Sequence, residues 1–218
     1  VYDLEKQAIQ YADKIVAVSN YTKRLLVEKY GVDEAKVEVI YNGIEVEVAV
    51  SGDGTPYSLD SLKASGAKLV LFLGRITIQK GPDYFIRVAR KVVDHYPGKV
   101  LFLVVGSGDM HQQMIHQASS MGIGDKVLFT GKLTGSEKEA VYRASDLFVM
   151  PSVSEPFGLT PLEAALYGTP TLISKQSGVA EVFTDSLKAD FWDVDDMTNK
   201  IVSVLNHPSL HQTLKLNS

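Results

Sequence analysis

The sequence predicts an α/β protein built on a doubly wound parallel sheet. Three observations carry that expectation. Several short runs are almost continuously Val, Leu, Ile or Phe, such as Lys68–Leu73 (KLVLFL) and Val100–Val105 (VLFLVV). Runs of that kind are strands covered on both faces, not half-solvated ones. Segments with apolar residues at helical spacing separate them, and strand–helix alternation means crossover connections and parallel strands. Finally, the chain has 218 residues, 45% hydrophobic and 22% charged, which supplies a sizeable core and argues against wholesale disorder.

The elements follow in order. Residues 1–48 read as a helix before Ala12-Asp13, a strand Lys14–Val18, a helix Asn20–Tyr30 stopped at Gly31, and a strand Val37–Tyr41 ending at the turn Asn42-Gly43. Residues 49–56, rich in Gly, Ser and Pro, read as a linker. From residue 57 the alternation begins: strand Lys68–Leu73, helix Pro82–Tyr96, strand Val100–Val105 and a helix near Met110–Met121. Then come strand Lys126–Thr130, a helix Ser136–Ala144 opened by a Ser136/Glu139 capping box, and strand Leu147–Met150. A short helix Thr160–Tyr167, strand Pro170–Ile173, a sixth strand at Ala189–Trp192 and a helix near Asp195–Leu205 complete it. The expected organisation is an end piece 1–48, a linker 49–56, a Rossmann-like unit 57–206 and a tail 207–218. Trp192 is assigned to the core.

Composition narrows the function. The 22 basic and 26 acidic residues give a net charge of −4, which argues against a nucleic-acid partner. With no cysteine, the chain can hold no disulfide, thiolate zinc site or iron–sulfur cluster, and has no cysteine nucleophile. No stretch approaches the roughly 18 consecutive apolar residues of a transmembrane segment. No secretory signal is visible. The expected location is the cytoplasm, with peripheral membrane contact left open. The chain begins at Val1 without an initiator Met, and a fragment of a longer protein is expected.

Two constellations sit where strands end. Gly74-Arg75 follows the first long strand, and Lys80-Gly81-Pro82 opens the next helix. Ligands of open parallel sheets sit at the carboxyl ends of strands, so two cations beside a helix start read as an anion site. The alternative is a pair of solvated loop charges. The second constellation, Ser154-Glu155-Pro156-Phe157-Gly158-Leu159-Thr160-Pro161-Leu162-Glu163, follows the fourth strand. Glu155 reads as a hydroxyl acceptor for a sugar or ribose, or as a surface charge. Thr160 and Glu163 have capping-box spacing, so Glu163 is either a ligand contact or only a cap.

Other patterns fail. Gly106-Ser107-Gly108 lacks the third glycine of a dinucleotide fingerprint, and no Walker-type loop exists. Asp193 and Asp195 have the spacing of a metal-binding pair, but a helix cap at Asp195 explains them as well. The five histidines do not cluster.

Taken together, Gly74-Arg75-x-x-x-x-Lys80-Gly81, Gly106-x-Gly108, Phe129-Thr130-Gly131, the Ser154–Glu163 run and Gly168-x-Pro170 resemble the group 1 glycosyltransferases, the glycogen synthase-like family. Ala12-Asp13-x-x-x-x-Val18-Ser19 and Val39-Ile40-x-Asn42-Gly43-Ile44 resemble the end of that family's N-terminal domain. The resemblance implies the two-Rossmann GT-B fold, of which this chain is the C-terminal, donor-binding half plus an end piece. It also implies roles. Arg75 and Lys80 bind the donor diphosphate, with Gly74 beside them. Glu155 contacts the donor sugar and Glu163 the ribose. The backbone of Phe157, Gly158, Leu159 and Thr160 touches sugar and phosphate. Gly106, Lys132 and Leu133 hold the nucleobase. Ser177 stands where the family commonly has glycine.

The implied activity is metal-independent, retaining transfer of a hexosyl group, with a UDP-, ADP- or GDP-sugar as substrate and no cofactor. The acceptor, a sugar, glycan or lipid-linked molecule, is held by an N-terminal domain, so the fragment alone is expected to be inactive. Three rivals remain. A retaining glycoside hydrolase would use Glu155 and Glu163 with carboxyls about 5–5.5 Å apart. The others are a non-catalytic nucleotide-sugar-binding module and a sugar-nucleotide epimerase of related fold.

Overall fold

The computed structural model describes residues 2–44 and 59–216; the expected linker 49–56 lies outside them. The described chain runs α1 (Tyr2–Tyr11), β1 (Ile15–Ala17), α2 (Asn20–Tyr30), β2 (Val37–Val39), α3 (Leu59–Ala64), β3 (Lys68–Leu73), α4 (Pro82–His95), β4 (Val100–Val105), α5 (His111–Ser120) and β5 (Val127–Gly131). It continues through α6 (Gly135–Ala144), β6 (Leu147–Met150), α7 (Thr160–Leu166), β7 (Thr171–Ser174), β8 (Leu187–Ala189), α8 (Val194–Asn206) and α9 (Pro208–Leu216). No helix among the described residues is long and apolar enough to cross a membrane.

Strands β3 to β8 form one six-stranded, all-parallel sheet in the order β5-β4-β3-β6-β7-β8. Alternate residues of β3 face opposite layers. Val70 and Phe72 join a cluster with Phe85, Val92, Met114, Met197 and Ile201 from α4, α5 and α8. Leu69 and Leu71 join the other layer with Leu59, Val141, Tyr142 and Ala164 from α3, α6 and α7. Helices on both faces explain why β3 and β4 read as unbroken apolar runs. β1 and β2 make a separate parallel pair around Ala17, Val32 and Val37.

The structure corrects several expectations. Residues 207–218, read as a tail, contain α9, whose Leu210 and Leu214 pack against the first cluster. The last strand is Leu187–Ala189, not Ala189–Trp192. The chain turns just afterwards, with Asp193 N–H donating to Asp190 O at 3.0 Å, which leaves Trp192 57% exposed instead of in the core. α6 begins at Gly135 after Thr134, so Ser136 lies inside the helix and its capping box does not form. Asp193, not Asp195, caps α8 by accepting from Asp196 N–H at 2.9 Å. Asp195 instead pairs with Lys91.

Candidate functional site

The sheet order places the site. On either side of the β3–β6 neighbours the chain winds in opposite directions, and ligands of such sheets bind at this switch point, beyond the carboxyl ends of the strands. β3 ends into Gly74-Arg75 and β6 ends into the loop carrying Glu155.

Two cavities share Leu73, Gly74 and Arg75. One, of about 170 Å³, is bounded by those residues with Lys80, Met150, Ser152 and Thr160. The other, of about 200 Å³, adds Val105, Gly106, Ser107, Lys132 and Leu133. Gly106 matters sterically, because a Cβ there would lie 1.9 Å from the Gly74 carbonyl oxygen. The loops after β3 and β4 are thus packed directly against each other at Gly74 and Gly106.

The two cations differ. Arg75 is exposed and has no ion-pair partner among the described residues. Lys80 closes a 3-10 turn before Gly81, which begins α4 with Pro82 at its first position. Its ammonium is ion-paired with the Glu155 carboxylate, whose side chain is only 9% exposed. Glu155 is fixed through its backbone. Its N–H donates to Gln176 O at 3.1 Å and its carbonyl accepts from Gly178 N–H at 3.0 Å. Burying a carboxylate is costly unless it is paired, and Lys80 supplies the pair.

Glu163 lies elsewhere. Its Oε2 accepts from the Tyr142 hydroxyl at 2.9 Å and the Lys138 ammonium at 3.1 Å. It lines a third cavity of about 400 Å³ with Gly43, Ile44, Lys138, Leu159 and Tyr167. The Thr160/Glu163 capping box does not form. Leu159 holds the cap position, and Thr160 Oγ1 faces Met150 Sδ at 4.0 Å. The Glu163 carboxylate is therefore not spent on the helix. Tyr142 is fully buried; burial first, then the Glu163 charge, push its phenol pKa far up, so it stays a donor to that carboxylate.

Of the site residues expected from sequence, Gly74, Arg75, Lys80, Gly106, Lys132, Leu133 and Thr160 line the two joined cavities. Leu159 and Glu163 line the third. Phe157 is buried, its ring 6.1 Å from that of Tyr41. Gly158 lies behind Glu155 and Met150. Ser177, the departure from the family pattern, is buried and donates to Ser174 O at 2.6 Å, at a φ of −130° that any residue adopts. Sequence reasoning missed Lys138 and Tyr142. Their i, i+4 spacing on α6 was the available signal, but the partner they hold sits on another helix.

Strand order and cavity placement define a Rossmann-like α/β domain with its candidate site at the switch point. The chain belongs to the group 1 glycosyltransferases: residues 57–218 match the family Glycosyl transferases group 1, and residues 1–48 match Glycosyltransferase Family 4. It is 36% identical over 187 residues to a D-inositol 3-phosphate glycosyltransferase of Nocardia farcinica, covering 83% of this chain and 42% of that protein. It is 30% identical over 214 residues to a mannosylfructose-phosphate synthase of Agrobacterium fabrum, covering 93% and 47%. The chain thus spans about half the length of these curated relatives. Among solved structures, Anabaena HepE in complex with UDP and glucose superposes with a TM-score of 0.81 at 21% identity, covering 96% of this chain and 58% of that one.

Proposed function

We propose that this chain is the donor half of a retaining, metal-independent glycosyltransferase that takes a hexosyl group from a nucleoside diphosphate sugar. The carrying observation is the switch-point arrangement. The exposed Arg75 and the Glu155-paired Lys80 border one cavity, beside the first turn of α4. Cleavage of the bond between the anomeric carbon and the diphosphate oxygen leaves the electron pair on that oxygen. Preorganised cations and free helix N–H groups stabilise the developing charge without rearranging. Lys80 is half-buried and already oriented by Glu155, so little reorganisation is needed when a diphosphate arrives. The neighbouring cavity at Gly106, Lys132 and Leu133 would take the nucleobase, and Glu163, held by Tyr142 and Lys138, would face the ribose. Both carboxylates of the alternative metal pair are engaged, Asp193 in capping α8 and Asp195 with Lys91.

Retention and the hexosyl group rest on the family resemblance alone; a nucleotide-sugar donor is supported by a relative named as a glycosyltransferase and by a related fold crystallised with UDP and glucose. Acceptor contacts fall to a further domain, so transfer is a property of a longer protein and this chain alone binds donor without turning it over. The glycosidase reading is disfavoured by geometry: Glu155 and Glu163 line different cavities and are held by different cations. A thermal-shift panel of UDP-, ADP- and GDP-sugars tests the proposal. A ligand at a hundred times its Kd stabilises by about 2.7 kcal/mol. No shift with any of the three would overturn it.

A further inference from the structure

Residues 19–22 and 177–181 are far apart in sequence and meet beside the loop that carries Glu155. The first turn of α2 has N–H groups with no acceptor inside the helix. Ser19 Oγ accepts from Thr22 N–H at 3.0 Å. The other two acceptors come from across the structure. Glu181 Oε2 accepts from Asn20 N–H at 2.9 Å, and Glu181 Oε1 from Tyr21 N–H at 2.6 Å. Glu181 Oε2 also accepts from the Tyr41 hydroxyl at 3.1 Å and Asn20 Nδ2 at 3.1 Å. A carboxylate at the positive end of a helix is stabilising, and this one uses both oxygens.

The helix so held reaches the donor loop. Ser19 is completely buried, and its hydroxyl donates to Pro156 O at 2.6 Å. Thr22 Oγ1 donates to the same carbonyl at 3.2 Å, and the Tyr21 hydroxyl lies 3.1 Å from Ser154 Oγ. Packing between the segments leaves no room. A Cβ on Gly178 would lie 2.2 Å from Pro156 O and 2.5 Å from Ser19 Cβ. Residues 154–157 are therefore held on two flanks, by 176–179 on one and by 19–22 on the other. Glu155, between those flanks, pairs with Lys80.

We propose that Glu181 is a positioning residue for donor binding: by capping α2 from across the interface it holds Ser19, Tyr21 and Thr22 against residues 154–157, and so fixes Glu155 and Lys80. The proposal rests on the reading of Lys80 as a diphosphate contact. Glu181 touches neither Lys80 nor Glu155 among its hydrogen bonds, so it acts only through the loop.

Hydrogen exchange without ligand and titration with UDP, ADP and GDP, each beside its nucleoside, test it on the wild-type chain, Glu181→Ala and Glu181→Gln. In Glu181→Ala, exchange should rise about threefold to tenfold at residues 19–24 and at 154–158, with β4 unchanged as the internal control. Diphosphate affinity should fall by a similar factor, with nucleoside affinity unchanged. Glu181→Gln, which keeps an acceptor oxygen and loses the charge, should lie between, and it carries the comparison if the alanine variant fails to fold. Loosening confined to 19–24, with 154–158 and diphosphate affinity as in wild type, would make Glu181 a merely structural cap and overturn the proposal. Failure of the wild type to bind any of the three diphosphates would sink the diphosphate reading instead, while the exchange at 154–158 would still decide whether Glu181 holds the loop.

Discussion

Lys80 and Glu155 stand 75 positions apart in the chain and form an ion pair at the mouth of the sheet, one from the loop after β3 and the other from the loop after β6. The pair spans the switch point, so the two halves of the sheet are joined where the ligand is proposed to sit. Arg75, four residues beyond Leu71 on the same strand exit, has no such partner among the described residues. The two cations, alike in sequence, should therefore respond differently to removal.

Lys80→Ala leaves a largely buried carboxylate without its partner and should cost about 1–3 kcal/mol of stability, read from urea unfolding. Arg75→Ala should stay within about 0.5 kcal/mol, as exposed substitutions do. Both should weaken a nucleoside diphosphate far more than its nucleoside in calorimetric titration. Equal losses for the two ligands would remove the phosphate assignment.

Glu163 serves as acceptor for Tyr142 and Lys138, not as a cap. Glu163→Gln should thus leave unliganded stability nearly unchanged while lowering nucleotide affinity by about 1.5–3 kcal/mol, the range for hydrogen bonds to a charged group. Tyr142→Phe removes one of the two donors and should lower affinity by less, at a stability cost near 1 kcal/mol. Unaltered affinity in both variants would take Glu163 out of the site.

Much of this is legible in the sequence. The bounds of β3, β4 and β6 coincide with their apolar runs, because strands buried on both faces admit no polar interruption. That Arg75, Lys80 and Glu155 come to one edge was legible because strand exits of a parallel sheet share it. What escaped was decided by contacts between distant segments. Capping spacing at Thr160/Glu163 matched the pattern, yet Tyr142 and Lys138 took the carboxylate. Trp192 was assigned inward on hydrophobicity, but the turn at Asp190 carries it out. α9 was missed because its few apolar residues form a stripe only once α8 and the sheet are in place. Glu181 carries no signal in the sequence that points to α2; its contacts with the Asn20 and Tyr21 N–H groups exist only once the two segments meet.

Chelation should not matter to donor binding. With Arg75, Lys80 and the start of α4 available to neutralise a diphosphate, Kd for a bound nucleotide sugar should be unchanged by EDTA. Loss of binding with EDTA and its recovery with Mn²⁺ or Mg²⁺ would speak for a metal-assisted site and against this reading.

Acid stability should depend on Asp146, buried at the opposite edge of the sheet. Burial raises its carboxyl pKa, but the Lys63 ammonium at 2.8 Å, the Leu69 N–H at 2.8 Å and Lys68 at 3.1 Å outweigh it, and the net value falls below the usual 3.8. The unfolded chain then takes up the proton first as pH falls. This contribution is complete above 3.8 and is lost as pH drops through the lower folded value. Asp146→Asn should be less stable than wild type at neutral pH, and the gap should narrow in that acid window in urea titrations followed by circular dichroism.

Trp192 is the chain's single tryptophan, and it lies in the open, edge-on to Phe191 with ring centroids 4.8 Å apart. The Phe191 N–H donates to Gln176 Oε1 at 3.3 Å, and the Gln176 carbonyl in turn accepts from Glu155 N–H. The molecule thereby carries its own fluorophore at the end of a short tether to the loop that holds Glu155. At 57% exposure in the native state its emission should already be that of a water-exposed indole, so colour change should under-report global unfolding. Its quenching by small solutes should report instead on how firmly the Phe191–Gln176–Glu155 link is held, without any label being attached.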